Sequence, residues 1–445
     1  MGAGKTRGTV EIMRKVFGKN KRYMRTIILA PSSVLFNWQE EILKWSKMDE
    51  KRIHVITGTG AARVKKIQKA ARGENIIIIN WEAIINKNVL KSLTDFIPEF
   101  IVGDELHYIK SYKSKRSKAA VLLGNAARSV NGYVIGLTGT PILNSPEDIF
   151  MQFKFLDGGG IFGENFFSFR KRYMVNVNAG WTGPNSFEKW VPNQRLFEQL
   201  YKKIGLLASR VTKEDCLKDL PPLIKIPRTV ELGTKQRKAY LEMEKEFITY
   251  LEGTEAPAVA TLAITKALRL MEIISGYVRT DEGEVIEFDD NPRLKALEDL
   301  LIEITASEKV IVWACWRQNY LQIEKLCQKL KLGYVKLVGE MSVEEKQENM
   351  NKFRSDPDCK VVVGSRKAAG TGINLIEAKY SVVYSRNFSL ADELQSEARN
   401  YRGGSQMHDQ VVKINLMGKD TIDERVTQAL EDKQSISDHI IDWRF

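Results

Sequence analysis

The sequence predicts an α/β protein of two lobes, each built on a parallel sheet, with helical insertions between them. Three observations carry that reading. Short β-branched runs recur between helix-like stretches, they end in small, polar or acidic residues, and the pattern halts near Gly158 and resumes near Lys309. Runs that are apolar at consecutive positions, not at alternate ones, suit strands buried on both faces, as in sheets whose crossovers are helices.

The first set is "TIILAP" from Thr26, "IHVIT" from Ile53, "IIIIN" from Ile76, "FIVGDE" from Phe100 and "YVIGLTGTP" from Tyr133. In sheets of this kind the chemistry sits at the carboxyl ends of the strands, which is where Asp104, Glu105 and Thr138 fall. From about Gly158 to Arg293 the texture changes. "DGGGIFGENFFSFRKRYM" is rich in glycine and aromatics, while "QRKAYLEMEKEFITYLEG" and "ATLAITKALRLMEIISGYV" are helical in pattern. "LPPLIKIPRTVEL" from Leu220 reads as an extended, proline-marked crossing. The second set follows: "KVIVWACW", "YVKLVG", "KVVVGS", "YSVVYS" and "VVKINLM". The expected division is residues 1–220 with a helical insertion at about 158–205, and residues 221–445 with another at about 235–290.

At 445 residues the chain is too long for one ordinary core. Its 43% hydrophobic and 28% charged residues exclude a disordered chain. The longest apolar stretch, "IIIINWEAII", is about half of the roughly 20 residues a membrane span requires. No apolar leader opens the sequence, so a cytoplasmic protein is expected, and a compact chain with no recognisable chromatin-reading, zinc or nuclease module points to a bacterial or phage-infected cell. Cys216, Cys315, Cys327 and Cys359 are scattered and the histidines number four, so no structural metal is expected. The net charge of +12 points to a polyanion, and basic residues cluster in "RKVFGKNKRYMR" and "KSYKSKRSK". The opening also fits a loose myristoylation pattern, but phosphate chemistry accounts for the same letters.

Four segments carry chemistry. "MGAGKT" reads as the second half of a phosphate-binding loop, with Gly2, Gly4, Lys5 and Thr6 supplying backbone amides, an ammonium and a hydroxyl for Mg²⁺. "VGDELH" closes a strand on two carboxylates; Asp104 is suited to hold Mg²⁺ and Glu105 to orient an attacking water. Two adjacent carboxylates there are costly without a cation. "GLTGTPILN" is a third strand end, with Thr138 and Thr140 flanking a glycine. In "QSEARNYRGGSQ", Arg399 and Arg402 stand three apart, where one helical face or its end presents both guanidiniums to a transferring phosphoryl group; Gln395 is counted with the nucleotide-binding residues.

Taken in order, these segments resemble the Swi/Snf-type helicase-like ATPases of helicase superfamily 2, over essentially the whole chain. "MGAGKT" resembles motif I, "ILAPSSVLFNWQEEILKW" motif Ia with Trp38 and Trp45, "GDELHYIKS" motif II and "LTGTPILN" motif III. "ASRVTKEDCLKDLPP" is similar to the basic and Leu-Pro segment between lobes, and "KVIVWACW", "GSRKAAGTGINL" and "QSEARNYRGGSQ" resemble motifs IV, V and VI.

The resemblance implies two RecA-like lobes that close on ATP and step along double-stranded DNA. It implies that Lys5 and Thr6 bind phosphate and Mg²⁺, and that Asp104 serves the metal while Glu105 activates water. His107, with Thr138 and Thr140, would couple the nucleotide site to the other lobe, and Arg402, with Arg399, would complete the site. Ser32 and Ser365 would contact DNA phosphates, with Gly370, Thr371, Gly372 and Asn374 near the backbone and Lys110 and Lys115 extending the track. A motor indifferent to sequence grips phosphates, not base edges. Ala398 stands where the family usually has aspartate, and Gly403 and Ser405 also depart from its pattern. The family commonly has a methionine inside motif I, so a longer natural protein is expected, with an interior strand upstream of the loop. The alternatives are a strand-separating helicase on DNA or RNA, and a nucleic-acid-binding module without ATPase activity.

Overall fold

The computed structural model describes residues 4–73, 75–139, 141–142, 145–178, 190–211, 217, 219–253, 258–280, 282–366 and 373–441. The chain divides into two compact units, one built on Met1–Ala179 and Glu188–Thr212, the other on Lys213–Ser435.

The first unit opens with helix α1 (Lys5–Asn20). Strand β1 (Thr26–Ala30), helix α2 (Leu35–Trp45), strand β2 (Ile53–Ile56), helix α3 (Gly60–Ala70) and strand β3 (Ile76–Asn80) follow. Then come helix α4 (Lys87–Asp95), strand β4 (Phe100–Asp104), helix α5 (Lys115–Ser129), strand β5 (Tyr133–Leu137) and helix α6 (Asp148–Asp157). The five strands form one sheet in the order β2-β3-β1-β4-β5, and every pairing is parallel.

Side chains alternate across a strand, so each apolar run fills two cores. Ile27, Leu29, Ile77, Ile79 and Ile101 point to the face covered by α3 to α6. Ile28, Ile78, Phe100 and Val102 point to the face where Val10 of α1 and Leu35, Trp38 and Ile42 of α2 pack. All five residues of β1 and of β3 are buried. At the sheet's edge β5 pairs only with β4, and none of its residues is fully buried. Beyond α6, helix α7 (Phe166–Tyr173), the antiparallel strands β6 (Met174–Asn176) and β7 (Trp190–Pro192), and helix α8 (Phe197–Gly205) follow. Their aromatics build a ring-stacked extension, with Tyr112 3.9 Å from Phe166 between centroids. The segment expected as a helical insertion thus contains a hairpin as well.

The second unit begins with strand β8 (Leu223–Val230), helix α9 (Thr234–Gly253), helix α10 (Ala258–Ile274), and the antiparallel pair β9 (Tyr277–Arg279) and β10 (Val285–Glu287). Helix α11 (Pro292–Thr305), strand β11 (Val310–Ala314), helix α12 (Arg317–Lys329), strand β12 (Gly333–Leu337), helix α13 (Val343–Ser355) and strand β13 (Cys359–Ser365) follow. The unit continues through strand β14 (Tyr380–Val383), helix α14 (Leu390–Glu397), strand β15 (Val411–Gly418) and helix α15, which spans Ile422–Ile441. The sheet order is β12-β13-β11-β14-β15-β8, again with parallel pairings.

The proline-marked segment from Leu220 is therefore more than a crossing. It is an edge strand paired with β15 from Leu223↔Val411 to Val230↔Gly418, and the division of the chain falls before it, between Thr212 and Lys213. Pro227 is tolerated because an edge strand has one side that needs no donor.

A buried ionic cluster ties α14 to this sheet. Glu393 accepts from Arg366 and from Lys413 Nζ at 2.5 Å, and Glu397 accepts from the same ammonium at 3.0 Å. Burial alone would raise the Glu393 carboxyl, but Arg366, Lys413 and Arg386 hold it well below the usual carboxylate range. A second buried pair joins Arg293 to Asp423.

Candidate nucleotide site

Helix α1 starts from Gly4, whose φ of 77° lies in the left-handed region that glycine enters without a Cβ penalty. No side chain caps the helix and its first turn has no acidic residue. Its leading amides and the positive end of its dipole are thereby left to an external anion, the arrangement found at phosphate-binding helix starts. Lys5 and Thr6 occupy that first turn.

The second half of the site is the carboxyl end of β4. Asp104 closes the strand, and both its oxygens accept hydrogen bonds: from Trp38 Nε1 at 2.9 Å and from the Glu105 amide at 3.0 Å. Trp81 Nε1 donates to the Asp104 carbonyl at 2.8 Å. Burial, reinforced by the charge of Glu105, pushes the Asp104 carboxyl up to about 6, against the pull of Lys5 and Trp38. A cation beside it would return it to the ionised form.

Glu105 adopts φ 51°, ψ 58°, left-handed for a non-glycine residue, a conformation that costs about 1–3 kcal/mol and persists only where the surroundings impose it. The imposing elements are visible. Leu106, the next residue, is buried where Gly103 and Gly136 leave room for it; a Cβ on Gly103 would lie 2.9 Å from Leu106 Cδ1 and 3.1 Å from Trp81. The turn aims Glu105 so that Oε1 lies 3.5 Å from Lys5 Nζ and Oε2 3.3 Å from His107 Nδ1. Thr138 Oγ1, just past β5, stands 3.5 Å from the same His107 nitrogen. The start of α1 and the carboxyl ends of β4 and β5 therefore converge.

Other residues singled out in the sequence have more varied placements. Ser32 is exposed in the turn that follows β1, and Lys115 is exposed in the first turn of α5. Lys110 lies 3.9 Å from Asp148. In the second unit Ser365 ends β13 as a buried residue, and the carbonyl of half-buried Asn374 accepts from Arg354 at 2.9 Å. Gln395 is buried within α14.

Arg399 and Arg402 differ in their surroundings. Helix α14 closes at Glu397, before either residue. Arg399 turns inward and donates to the carbonyls of Gln395 at 2.9 Å and Ile373 at 3.1 Å, whereas Arg402 is half-exposed. The two arginines stand just past the end of that helix, one buried and the other half-exposed. Gly2, Thr140, Gly370, Thr371 and Gly372 lie outside the described residues.

Sequence reasoning missed the part played by Trp38 and Trp81 in holding Asp104. In the sequence Trp38 is a position in motif Ia, and nothing local links it to a carboxylate 66 residues away. It also missed Arg366 and Glu393, whose charges become meaningful only once both are buried.

A phosphate-type helix start facing a carboxylate pair, followed by a second α/β unit, defines a two-unit α/β protein with a candidate nucleotide site in its first unit. Residues 1–275 match the SNF2-related domain and residues 292–404 the helicase conserved C-terminal domain. The chain belongs to the SNF2-related family. It is similar to an uncharacterized ATP-dependent helicase, MG018, of Mycoplasma genitalium, with 26% identity over 98% of this chain and 39% of that protein. It is also similar to the putative ATP-dependent helicase/translocase YwqA of Bacillus subtilis, with 26% identity over 99% of the chain and 46% of the relative. The DNA repair and recombination protein RAD54B of Homo sapiens is 24% identical over 99% of the chain and 51% of its own length. The chain thus spans between 39% and 51% of these three relatives. Among solved structures, the Sulfolobus solfataricus SWI2/SNF2 ATPase core in complex with dsDNA is similar at 23% identity, covering 99% of this chain and 87% of that one, with a TM-score of 0.41. Among the described residues no helix is long and apolar enough to cross a membrane.

Proposed function

We propose that the chain hydrolyses ATP with Mg²⁺ and uses the cycle to move along duplex DNA. The observation that carries the reading is the placement of Glu105, held by a strained turn between Lys5 and His107 at the end of a buried strand. A carboxylate costs less in solvent; its retention in this turn is explained by a proton-accepting or water-orienting task.

The amides that open α1 would bind the terminal phosphates, and Lys5 would exchange its contact with Glu105 for one with phosphate, leaving the carboxylate to orient water. His107 and Thr138 would hold Glu105 in position. Among the described residues no group of three or more His, Cys, Asp or Glu is placed to hold a metal. That fits Mg²⁺, which keeps several waters and takes one or two carboxylates together with substrate phosphates. The oxygen donors present, the Thr6 hydroxyl and the raised Asp104 carboxyl, suit it; when bound, the ion neutralises charge developing on the phosphates. Arg402 is assigned the role of a positive charge on the transferring phosphoryl group, and Arg399 that of positioning the segment around Ile373. Ser32 and Lys115 are assigned to the DNA backbone, a duty that needs no base reading.

The test is phosphate release with and without duplex DNA, with Glu105→Gln as the control, followed by triplex displacement. Stimulation by duplex and displacement of the third strand are expected, with DNA binding that weakens steeply with salt. Displacement without duplex stimulation, or stimulation confined to single strands or RNA, would favour a strand-separating enzyme. DNA binding with no turnover would reduce the chain to a binding module.

A further inference from the structure

At the end of the first sheet opposite Asp104 and Ser32, an open cleft of about 580 Å³ runs between α1 and α2 and reaches Thr26, Ile76 and Phe100, the first residues of β1, β3 and β4. Its size falls within the roughly 300–1,000 Å³ of sites that engulf a ligand or anchoring side chains. The floor is apolar and adaptable. Met13, Met24, Trp45 and Met48 are partly buried against the core yet line the opening, and methionine is the side chain that reshapes most readily around a partner.

The walls are basic. Arg14 and Lys15 line it from α1, and Lys44 and Lys47 from α2 and the turn beyond it. Glu11 is the one carboxylate in the lining, and Arg14 already engages it at 2.7 Å. Lys15, Lys44 and Lys47 have no carboxylate partner among the described residues, and the Lys44 ammonium rests 5.1 Å from the Trp45 ring centre. Of these cations, Arg14 and Lys15 belong to the basic run "RKVFGKNKRYMR".

We propose that this cleft docks an acidic amphipathic helix of a partner protein. The apolar stripe of such a helix would fill the methionine-lined floor, in the helix-in-groove manner. Glutamates on its two flanks would meet the cations on the two walls, and that complementarity selects the partner's charge. A nucleic-acid backbone would satisfy the lysines but leave the apolar floor unfilled. A single anionic headgroup would meet one wall and not both. From α1 the cleft is lined by residues of the stretch from Val10 to Phe17 and by neither Lys5 nor Thr6, so occupancy leaves the nucleotide site open.

The test uses the full chain and two synthetic amphipathic helical peptides that share one Leu and Phe stripe, one flanked by glutamate and the other by lysine, with a DNA duplex as a third probe. Binding is read by anisotropy, and its place by the fluorine resonance of Trp45 in 5-fluorotryptophan-labelled protein, assigned with Trp45→Phe. The glutamate peptide is expected to bind and move that resonance. Met13→Glu should weaken it at least about tenfold, as loss of a central apolar anchor does. The doubly reversed Lys44→Glu, Lys47→Glu variant, altered only at exposed positions, should turn the preference toward the lysine peptide. ATP turnover measured in parallel should be unchanged in both variants, which keeps this result separate from the fate of the proposed activity. Failure of the glutamate peptide to bind, equal binding of both peptides, displacement by duplex, or indifference to the charge reversal would each overturn the proposal.

Discussion

Glu105 Oε1 stands 3.5 Å from Lys5 Nζ, joining the helix start that opens the chain to the strand end that carries the acidic pair. Each charge screens the other, and the pair sits where an anion and a water would be sorted. If Lys5 passes to phosphate during turnover, Glu105 is released to its task.

Replacing Glu105 with Gln should then lower kcat by a factor of about 10²–10⁴, the usual share of a general base, while nucleotide affinity is kept. Phosphate release and nucleotide titration on the same preparation check the two halves. A variant that still turns over at the wild-type rate would remove Glu105 from the chemistry.

Asp104 should weaken the fold that it serves. Its carboxyl is raised from 3.8 to about 6 by burial and by Glu105, so the unfolded chain ionises it at lower pH than the folded chain does. Its contribution to stability is full below about 3.8 and is lost as pH rises through about 6. At pH above 7, Asp104→Asn should melt a few degrees higher than wild type, and at pH near 4 the difference should disappear, with ATP turnover lost throughout. Calorimetry across that range decides the sign.

Gly136 sits on β5, where a Cβ would run into Leu106 Cδ2 and lie 3.1 Å from Leu156 Cδ2. Gly136→Ala should cost about 1–3 kcal/mol by overpacking and lower kcat more than it changes KM, because Leu106 adjoins Glu105. Gly18→Ala provides the contrast, since a Cβ there meets nothing within 4 Å; in a helix it should stabilise by about 0.5–1 kcal/mol. Urea midpoints at constant slope measure both.

In the second lobe, Glu393→Gln leaves the buried Arg366 without its carboxylate and Lys413 with Glu397 alone, and should cost about 3–5 kcal/mol. Burial works against the Glu393 charge, but Arg366, Lys413 and Arg386 depress its pKa below the ordinary value of 4.5. Its stabilising contribution is therefore present above about pH 4.5 and lost as pH falls through the depressed value. Acid unfolding followed by near-ultraviolet circular dichroism should show the variant with a flatter acid limb.

The sequence by itself determined the strands, because a run such as "IIIIN" is apolar at every position and only a sheet covered on both sides buries it all. It determined the carboxylate pair and the phosphate-type turn as well, since these are local patterns of residue type. It also located the end of β4 at Asp104, where polarity changes abruptly. That Trp38 holds Asp104 and that Arg399 turns inward became legible only in the folded chain. So did the pairing of the segment after Leu220 as a strand. Those outcomes depend on which surfaces meet across tens of residues, and a side chain's partner, burial and charge cost exist only after the chain has closed on itself.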